Sequence, residues 1–174
     1  MLTSQPGTAF AAKYCDYNFT SGSGVNQPTA FKEANSRLVE ASKLEGRDVG
    51  ALVLFMIIAD ETDEAAHAKF ELYNQGTDVE ALAWMKNQSG KDEKADKFST
   101  AQRMVNMAPK CNANMSSLIG SYASVAAMLD EVAKEPIKGV MLTFDDFVKG
   151  VETFGTKIQP LMKCRVNTLK ELAA

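Results

Sequence analysis

The sequence predicts an α/β fold in which parallel strands alternate with helices, and three observations support this. Helix and strand patterns alternate along most of the 174 residues, which is the order typical of right-handed βαβ units. Residues 51–59, ALVLFMIIA, are apolar at every position, as in a parallel strand covered on both faces. About three strands are predicted, and so small a sheet would have two bare edges. We therefore expect part of a larger (β/α)8 barrel, which typically needs about 250 residues.

The first third of the chain supplies the predicted elements that precede the apolar strand. Pro6–Lys13 is predicted as a short helix, with Ser4 near its cap and a proline early, where a missing N–H costs nothing. DYNF, residues 16–19, is predicted as the first strand. From 28 to 44, apolar residues recur at helical spacing, and Gly46 ends that helix.

The alternation continues after the apolar strand. Thr62 is predicted to cap a helix that has an acidic first turn and ends at Gly76. Ser121 is predicted to cap a later helix. The remaining predicted elements are helices over 78–88 and 122–135, a third strand, GVMLTF, over 139–144, and terminal helices.

Residues 1–174 are interpreted as a portion of one barrel rather than as separate domains. Residues 89–117 begin with a charged stretch that is low in apolar residues, and we expect them to leave the barrel as an excursion. Because they follow a buried strand and its helices, they are a candidate lid over the site. A solvated loop with no functional part is the alternative.

Composition excludes several classes of protein. The net charge of −3 gives no basic footprint for nucleic acid or an anionic membrane. No apolar run approaches the roughly 18 residues of a membrane span, and the N-terminus carries no signal-peptide pattern, so we expect a cytoplasmic protein. Cys15, Cys111 and Cys164 are scattered, which favours reduced thiols over disulfides or a zinc site.

Blocks of the sequence resemble the bacterial luciferase-like, FMN-dependent monooxygenases. The blocks are SQPGTAFAAKYCDYNF, GRDVGALVLFMIIADETDEAAHAK, ALAWMKNQSGKD, GSYASVAAMLDEV and GVMLTFDDFVKGVETFGTKIQPLMKCR. Within that family they are most similar to the members that act on pyrimidines such as uracil. The resemblance covers nearly the whole chain but only the C-terminal half of the family's (β/α)8 barrel. It therefore implies that the chain begins just after the fifth strand of such a barrel.

The turn SQPG is the candidate cofactor site. The resemblance implies that Ser4 contacts the FMN phosphate, with Gly7 letting the backbone approach closely. A hydroxyl and unpaired N–H groups at a helix N-terminus form an anion site. A simple helix cap is the alternative interpretation of the same residues.

The resemblance also implies a chemistry and its participants. Reduced FMN, supplied by a separate NAD(P)H-dependent flavin reductase, and O₂ would oxygenate and open the ring of a small pyrimidine substrate. The groups that act on the pyrimidine lie mainly on earlier strands of the family, so no catalytic residue is assigned. The missing N-terminal half or a second copy of the chain is an expected partner, and the isolated chain is expected to be inactive.

Four other features have interpretations of their own. The acidic pair Asp145–Asp146 follows the last strand and is interpreted as a helix cap, with metal binding or acid–base chemistry as the alternative. The acids of residues 60–64 are interpreted in the same way. His67 is expected at a solvated helix position. Trp84 is expected to be a packing residue, with lining of the substrate side of the barrel mouth as the alternative.

Two alternative functions remain open from the sequence. One is a non-catalytic half-barrel that binds flavin weakly or only self-associates. The other is a fragment of a metal-dependent hydrolase, which is disfavoured because no His or Cys ligand accompanies the carboxylates.

Overall fold

The computed structural model describes residues 5–89, 111 and 115–165. The elements are α1 (Gln5–Tyr14), β1 (Tyr17–Ser21), α2 (Lys32–Leu44), β2 (Gly50–Asp60), α3 (Asp63–Gln75), α4 (Val79–Ser89), β3 (Ser117–Ser121), α5 (Tyr122–Val132), β4 (Gly139–Phe144) and α6 (Phe147–Thr153). One π-helical turn (Phe154–Ile158) and one 3-10 turn (Gln159–Leu161) follow α6. Within these ranges, every helix is too short or too polar to cross a lipid bilayer.

Strand β2 is the centre of a parallel sheet. Strand β1 pairs with its first half, with Tyr17 opposite Gly50. Strand β3 pairs with its second half on the same side, with Met56 opposite Ser117. Strand β4 runs along the other side of β2. The carboxyl ends of β2, β3 and β4 therefore meet at one edge of the sheet.

The α/β class and the parallel strands are as predicted, but the described sheet has four strands instead of about three. The additional strand is β3, whose sequence is SLIGS. Only Leu118 and Ile119 in it are strongly apolar, and the strand runs into α5 without an intervening turn. A segment this short gives no alternation to read, and its pairing with β2 determines its conformation.

Most predicted element positions are confirmed, and two boundaries differ by three residues or more. Helix α2 begins at Lys32 rather than at residue 28, because the preceding residues form a turn. In that turn the N–H of Lys32 donates to the carbonyl of Thr29 at 2.9 Å. Helix α5 ends at Val132, three residues before its predicted end. Most of the predicted excursion at 89–117, namely residues 90–110 and 112–114, lies outside the described residues.

The core lies mainly on one face of the sheet. On that face four residues of β2 are at most 2% exposed: Ala51, Val53, Phe55 and Ile57. They pack in one cluster with residues of α2 and α5, including Leu38, Val125 and Leu129. On the other face Leu52 is half-buried, whereas Ile58 is buried beneath Phe70 of α3. The prediction that β2 is covered on both faces is therefore confirmed on one face and only in part on the other.

Candidate functional site

A cavity of about 320 Å³ lies at the carboxyl edge of the sheet. Its apolar lining comes from the ends of β2 and β4 and from the segment after α6, and includes Ile57, Phe144 and Ile158. Its polar lining includes Lys69 of α3 and Asp145, the first residue after β4. Chemistry in parallel α/β barrels takes place at this end of the strands, so the cavity is the candidate site.

Helix α3 is attached to the ends of three strands by side chains along its length. At its start, Asp63 Oδ1 accepts the N–H of Ser121 at the end of β3, at 2.6 Å. In its middle, Lys69 Nζ lies 3.0 Å from Asp60 Oδ2. Near its end, the Tyr73 hydroxyl donates to Asp145 Oδ2. These contacts hold α3 across the carboxyl edge.

The hydrogen bonds at this edge keep its carboxylates ionised. The N–H of Glu61, together with Lys69, lowers the pKa of Asp60 below its ordinary value. Burial alone would raise the pKa of Asp145, but its hydrogen bond from Tyr73, the N–H of Asp146 and the charge of Lys69 outweigh burial and lower it. Burial and the nearby carboxylate raise the pKa of Tyr73 to about 12. Tyr73 is therefore a protonated donor at neutral pH.

The pair formed by Tyr73 and Asp145 predicts a fall in stability at alkaline pH. The pKa of Tyr73 rises from its ordinary 10.0 to about 12 on folding. The pair's contribution to the free energy of unfolding is therefore complete below pH 10 and is lost as the pH rises through 12. We expect Tyr73→Phe to cost roughly 1 kcal/mol at pH 7 and to flatten this alkaline fall, measured by urea denaturation between pH 7 and 11.

The matched control for this prediction is Tyr17→Phe, because Tyr17 is 60% exposed. That variant should keep the alkaline fall of the wild type. An equal alkaline fall in Tyr73→Phe and in the wild type would contradict the assignment of the raised pKa to Tyr73.

Of the two residues predicted to bind the cofactor, the structure describes only Gly7. Ser4 lies outside the described residues. Gly7 lies in the first turn of α1 and is buried. The first turns of α1, α5 and α6 carry no acidic residue, whereas those of α2, α3 and α4 do. The described start of α1 is therefore electrostatically compatible with an anion. Gly7 is not among the residues that line the cavity at the carboxyl edge.

Three predicted helix caps are confirmed among the described residues, and the cap predicted near Ser4 lies outside them. Thr62 accepts the N–H of Ala65 at 3.1 Å, and Asp146 accepts the N–H of Lys149 at 3.2 Å. Ser121 accepts the N–H of Ser124 at 3.2 Å. Asp145 differs from this interpretation, because it accepts Tyr73 and the N–H of Asp146 instead of capping α6. The described part of the chain holds no group of three or more potential metal ligands.

Sequence reasoning missed two residues of the site and misjudged one residue outside it. Lys69 and Tyr73 lie four residues apart on α3 and both reach the carboxyl edge. Their spacing is the only sequence signal, and it occurs on every helix. The prediction that Trp84 is a packing residue is wrong, since Trp84 is 64% exposed on α4. His67 is exposed on α3, as predicted.

No protein-family model matches the chain, but curated proteins do. The pyrimidine monooxygenase RutA of Serratia proteamaculans is 55% identical over 172 residues, which are 98% of this chain and 47% of that protein. The RutA protein of Enterobacter cloacae is 56% identical over 165 residues. Over nearly its whole length, this chain is therefore similar to part of a pyrimidine monooxygenase. It spans about half the length of the RutA proteins that it matches.

Solved structures with similar folds also exceed the described chain in length. DmoA from Hyphomicrobium sulfonivorans superposes with a TM-score of 0.61 at 17% identity, over 98% of this chain and 40% of DmoA. The riboflavin lyase RcaE, solved with modified FMN and riboflavin, has a TM-score of 0.66 at 15% identity and is covered over 42%. These likenesses show the fold: the chain forms part of a larger α/β barrel, as predicted.

Proposed function

We propose that this chain supplies the C-terminal part of a flavin-dependent monooxygenase that oxygenates and opens a pyrimidine ring such as uracil. The observation that carries the proposal is the 55% identity to a pyrimidine monooxygenase over 98% of this chain. The earlier strands of the barrel come from sequence outside this chain or from another polypeptide. The complete protein works in the cytoplasm with a separate NAD(P)H-dependent flavin reductase.

The start of α1 is the proposed phosphate site for FMN. Gly7 supplies a buried backbone position in the first turn of a ten-residue helix, and Ser4, with its hydroxyl, directly precedes that helix in the sequence. The missing acid in the first turn of α1 supports this assignment, because a carboxylate there would repel a phosphate. Reduced FMN supplies the electrons for the reaction with O₂ when it is bound.

The carboxyl edge of the sheet forms one side of the entrance to the proposed active site. Helix α3 is fixed there through Asp63, Lys69 and Tyr73, and α4 then leads towards the excursion predicted at 89–117. We assign that excursion the role of a lid that excludes water from the site. No described residue is assigned to a catalytic step.

Reconstitution tests the proposed function. The chain is co-expressed with the part of the Serratia RutA protein that it does not match, and the purified complex is supplied with FMN, a flavin reductase, NADH and uracil. We expect uracil loss above the no-protein control from the complex and none from this chain alone, since catalysis depends on the earlier strands. The full-length Serratia protein is the positive control. A stable complex without uracil loss, beside an active control, contradicts the proposal.

A second candidate function is a non-catalytic half-barrel that self-associates. The observation that favours it is the apolar surface left at the sheet, where Val140 and Met141 of β4 are 41% and 45% exposed. Two copies could cover this surface on each other. Sedimentation of the isolated chain as a dimer that excludes the Serratia partner segment would favour this function over the first.

A further inference from the structure

The cavity at the carboxyl edge combines an apolar floor with a balanced polar rim. Ile57 and Ile158 are at most 2% exposed, and the Phe144 ring adds an aromatic wall. The charged side chains that line it are two lysines, Lys69 and Lys149, and two aspartates, Asp145 and Asp146. Their charges cancel. A cavity of about 320 Å³ is at the small end of the range for small-molecule sites, so it suits a small molecule, and the balanced charges of its lining favour a neutral one.

Lys69 and Asp145 each have hydrogen-bonding positions that their described contacts do not use, and these positions indicate which ligand groups the cavity can bind. The Lys69 ammonium has three N–H donors, and its described contacts, with Asp60 and the Ala59 carbonyl, use two of them. The Asp145 carboxylate has about four acceptor positions. Its described contacts, from the Tyr73 hydroxyl and the N–H of Asp146, use two. One donor of Lys69 and at least one acceptor position of Asp145 therefore remain at the same cavity.

Tyr73 fixes the direction of the acceptor. The Tyr73 hydroxyl donates to Asp145 Oδ2, and the N–H of Asp146 donates to Asp145 Oδ1 at 2.9 Å. Both oxygens of the carboxylate therefore accept a hydrogen bond. The Tyr73 ring packs in the apolar cluster with Ile58 and Phe70. Tyr73 is thus a positioning residue, whereas Lys69 and Asp145 would contact the ligand.

We propose that this cavity binds the lactam edge of a small planar heterocycle, meaning a ring C=O next to a ring N–H. Lys69 donates to the carbonyl, Asp145 accepts the N–H, and Phe144 packs against the ring. The inference rests on the proposed function, because both a pyrimidine substrate and a flavin ring carry such an edge. The cavity residues do not themselves decide between these two sources.

The test uses the 174-residue chain and three probes, with amide chemical shifts as the readout. Uracil carries the lactam edge, 1,3-dimethyluracil has lost its ring N–H groups, and FMN offers the edge on a flavin. We expect uracil or FMN to shift the amides of Lys69, Asp145 and Thr153. We also expect 1,3-dimethyluracil to bind at least about tenfold more weakly than uracil, because the Asp145 carboxylate then faces a methyl group.

Variants locate the binding to this cavity. Asp145→Asn and Lys69→Met should each weaken binding of the lactam probe about tenfold or more, and Tyr73→Phe should weaken it less. The matched controls are Asp48→Asn and Lys134→Met, which remove the same charges from surface pairs outside the cavity. These controls should bind like the wild type. Circular dichroism confirms that each variant is folded.

The outcomes distinguish substrate binding from cofactor binding, and they test the inference separately from the proposed function. Uracil binding that is sensitive to these variants assigns the site to the substrate, and FMN binding with the same sensitivity assigns it to the cofactor. Equal affinity for uracil and 1,3-dimethyluracil, or no binding of uracil or FMN, overturns the inference. If Asp145→Asn chains reconstitute uracil loss with an unchanged KM for uracil and an unchanged affinity for FMN, the inference fails while the proposed function stands. Lactam binding without reconstitution leaves the inference standing and the proposed function rejected.

Discussion

Replacing Phe55 by alanine is expected to lower the free energy of unfolding by about 3–5 kcal/mol. Phe55 is fully buried at the centre of β2, and its ring meets that of Phe31 edge-on, with the centroids 6.3 Å apart. The side chains around Phe55 can relax only partly into the space that the ring leaves. The energetic cost of the remaining cavity therefore adds to the lost transfer free energy of the ring. Denaturation in urea, followed by circular dichroism, measures the change.

The control for Phe55→Ala is Leu44→Ala. Leu44 ends α2 and is 90% exposed, so its truncation should change the free energy of unfolding by no more than about 0.5 kcal/mol. Equal losses in the two variants would show that Phe55 is not part of a packed core, and would contradict the packing of α2 and α5 against β2.

Replacing Gly150 by alanine is expected to cost about 1–3 kcal/mol through overpacking. A Cβ at this position would overlap Cβ and Cγ of Phe144 and lie 2.7 Å from its Cδ1. The Phe144 Cβ is attached directly to the backbone of β4, so a rotamer change of the ring cannot remove the overlap. Helix α6 must move away from the strand. The free energy of unfolding, again from urea denaturation, gives the size of the effect.

Gly155 provides the matched control for Gly150→Ala. It lies in the π-helical turn just after α6, and a Cβ there meets no atom within 4 Å. Alanine at 155 should therefore leave stability unchanged or raise it by up to about 1 kcal/mol, because alanine restricts the unfolded chain. A loss for Gly155→Ala as large as for Gly150→Ala would mean that helix propensity, not the contact with Phe144, governs both positions.

The sequence predicts the parts of the fold that local chemistry determines. Strand β2 is identified by nine consecutive apolar residues, and α3 by Thr62 at its start and Gly76 at its end. Strand β3 could not be predicted, since its five residues become a strand only by pairing with the second half of β2. The partial barrel is predicted because so few strands cannot close a sheet.

The candidate site was less predictable than the fold. In the sequence, Asp145 is recognisable only as a member of an acidic pair, and its partner Tyr73 lies 72 residues earlier in the chain. Only the tertiary arrangement of α3 and β4 brings these two side chains together, and no local pattern encodes such a pair. Ser4 and Gly7 were selected through the family resemblance, and their role with FMN stays a prediction.

The most direct test of the central claim is the fate of isotopically labelled oxygen in the reconstituted complex. A monooxygenase transfers one atom of O₂ to its product, so with ¹⁸O₂ and unlabelled water the ring-opened product of uracil should carry one ¹⁸O atom by mass spectrometry. A ring-opened product without ¹⁸O would show that water opens the ring. That result would contradict the claim that this chain forms part of a pyrimidine monooxygenase.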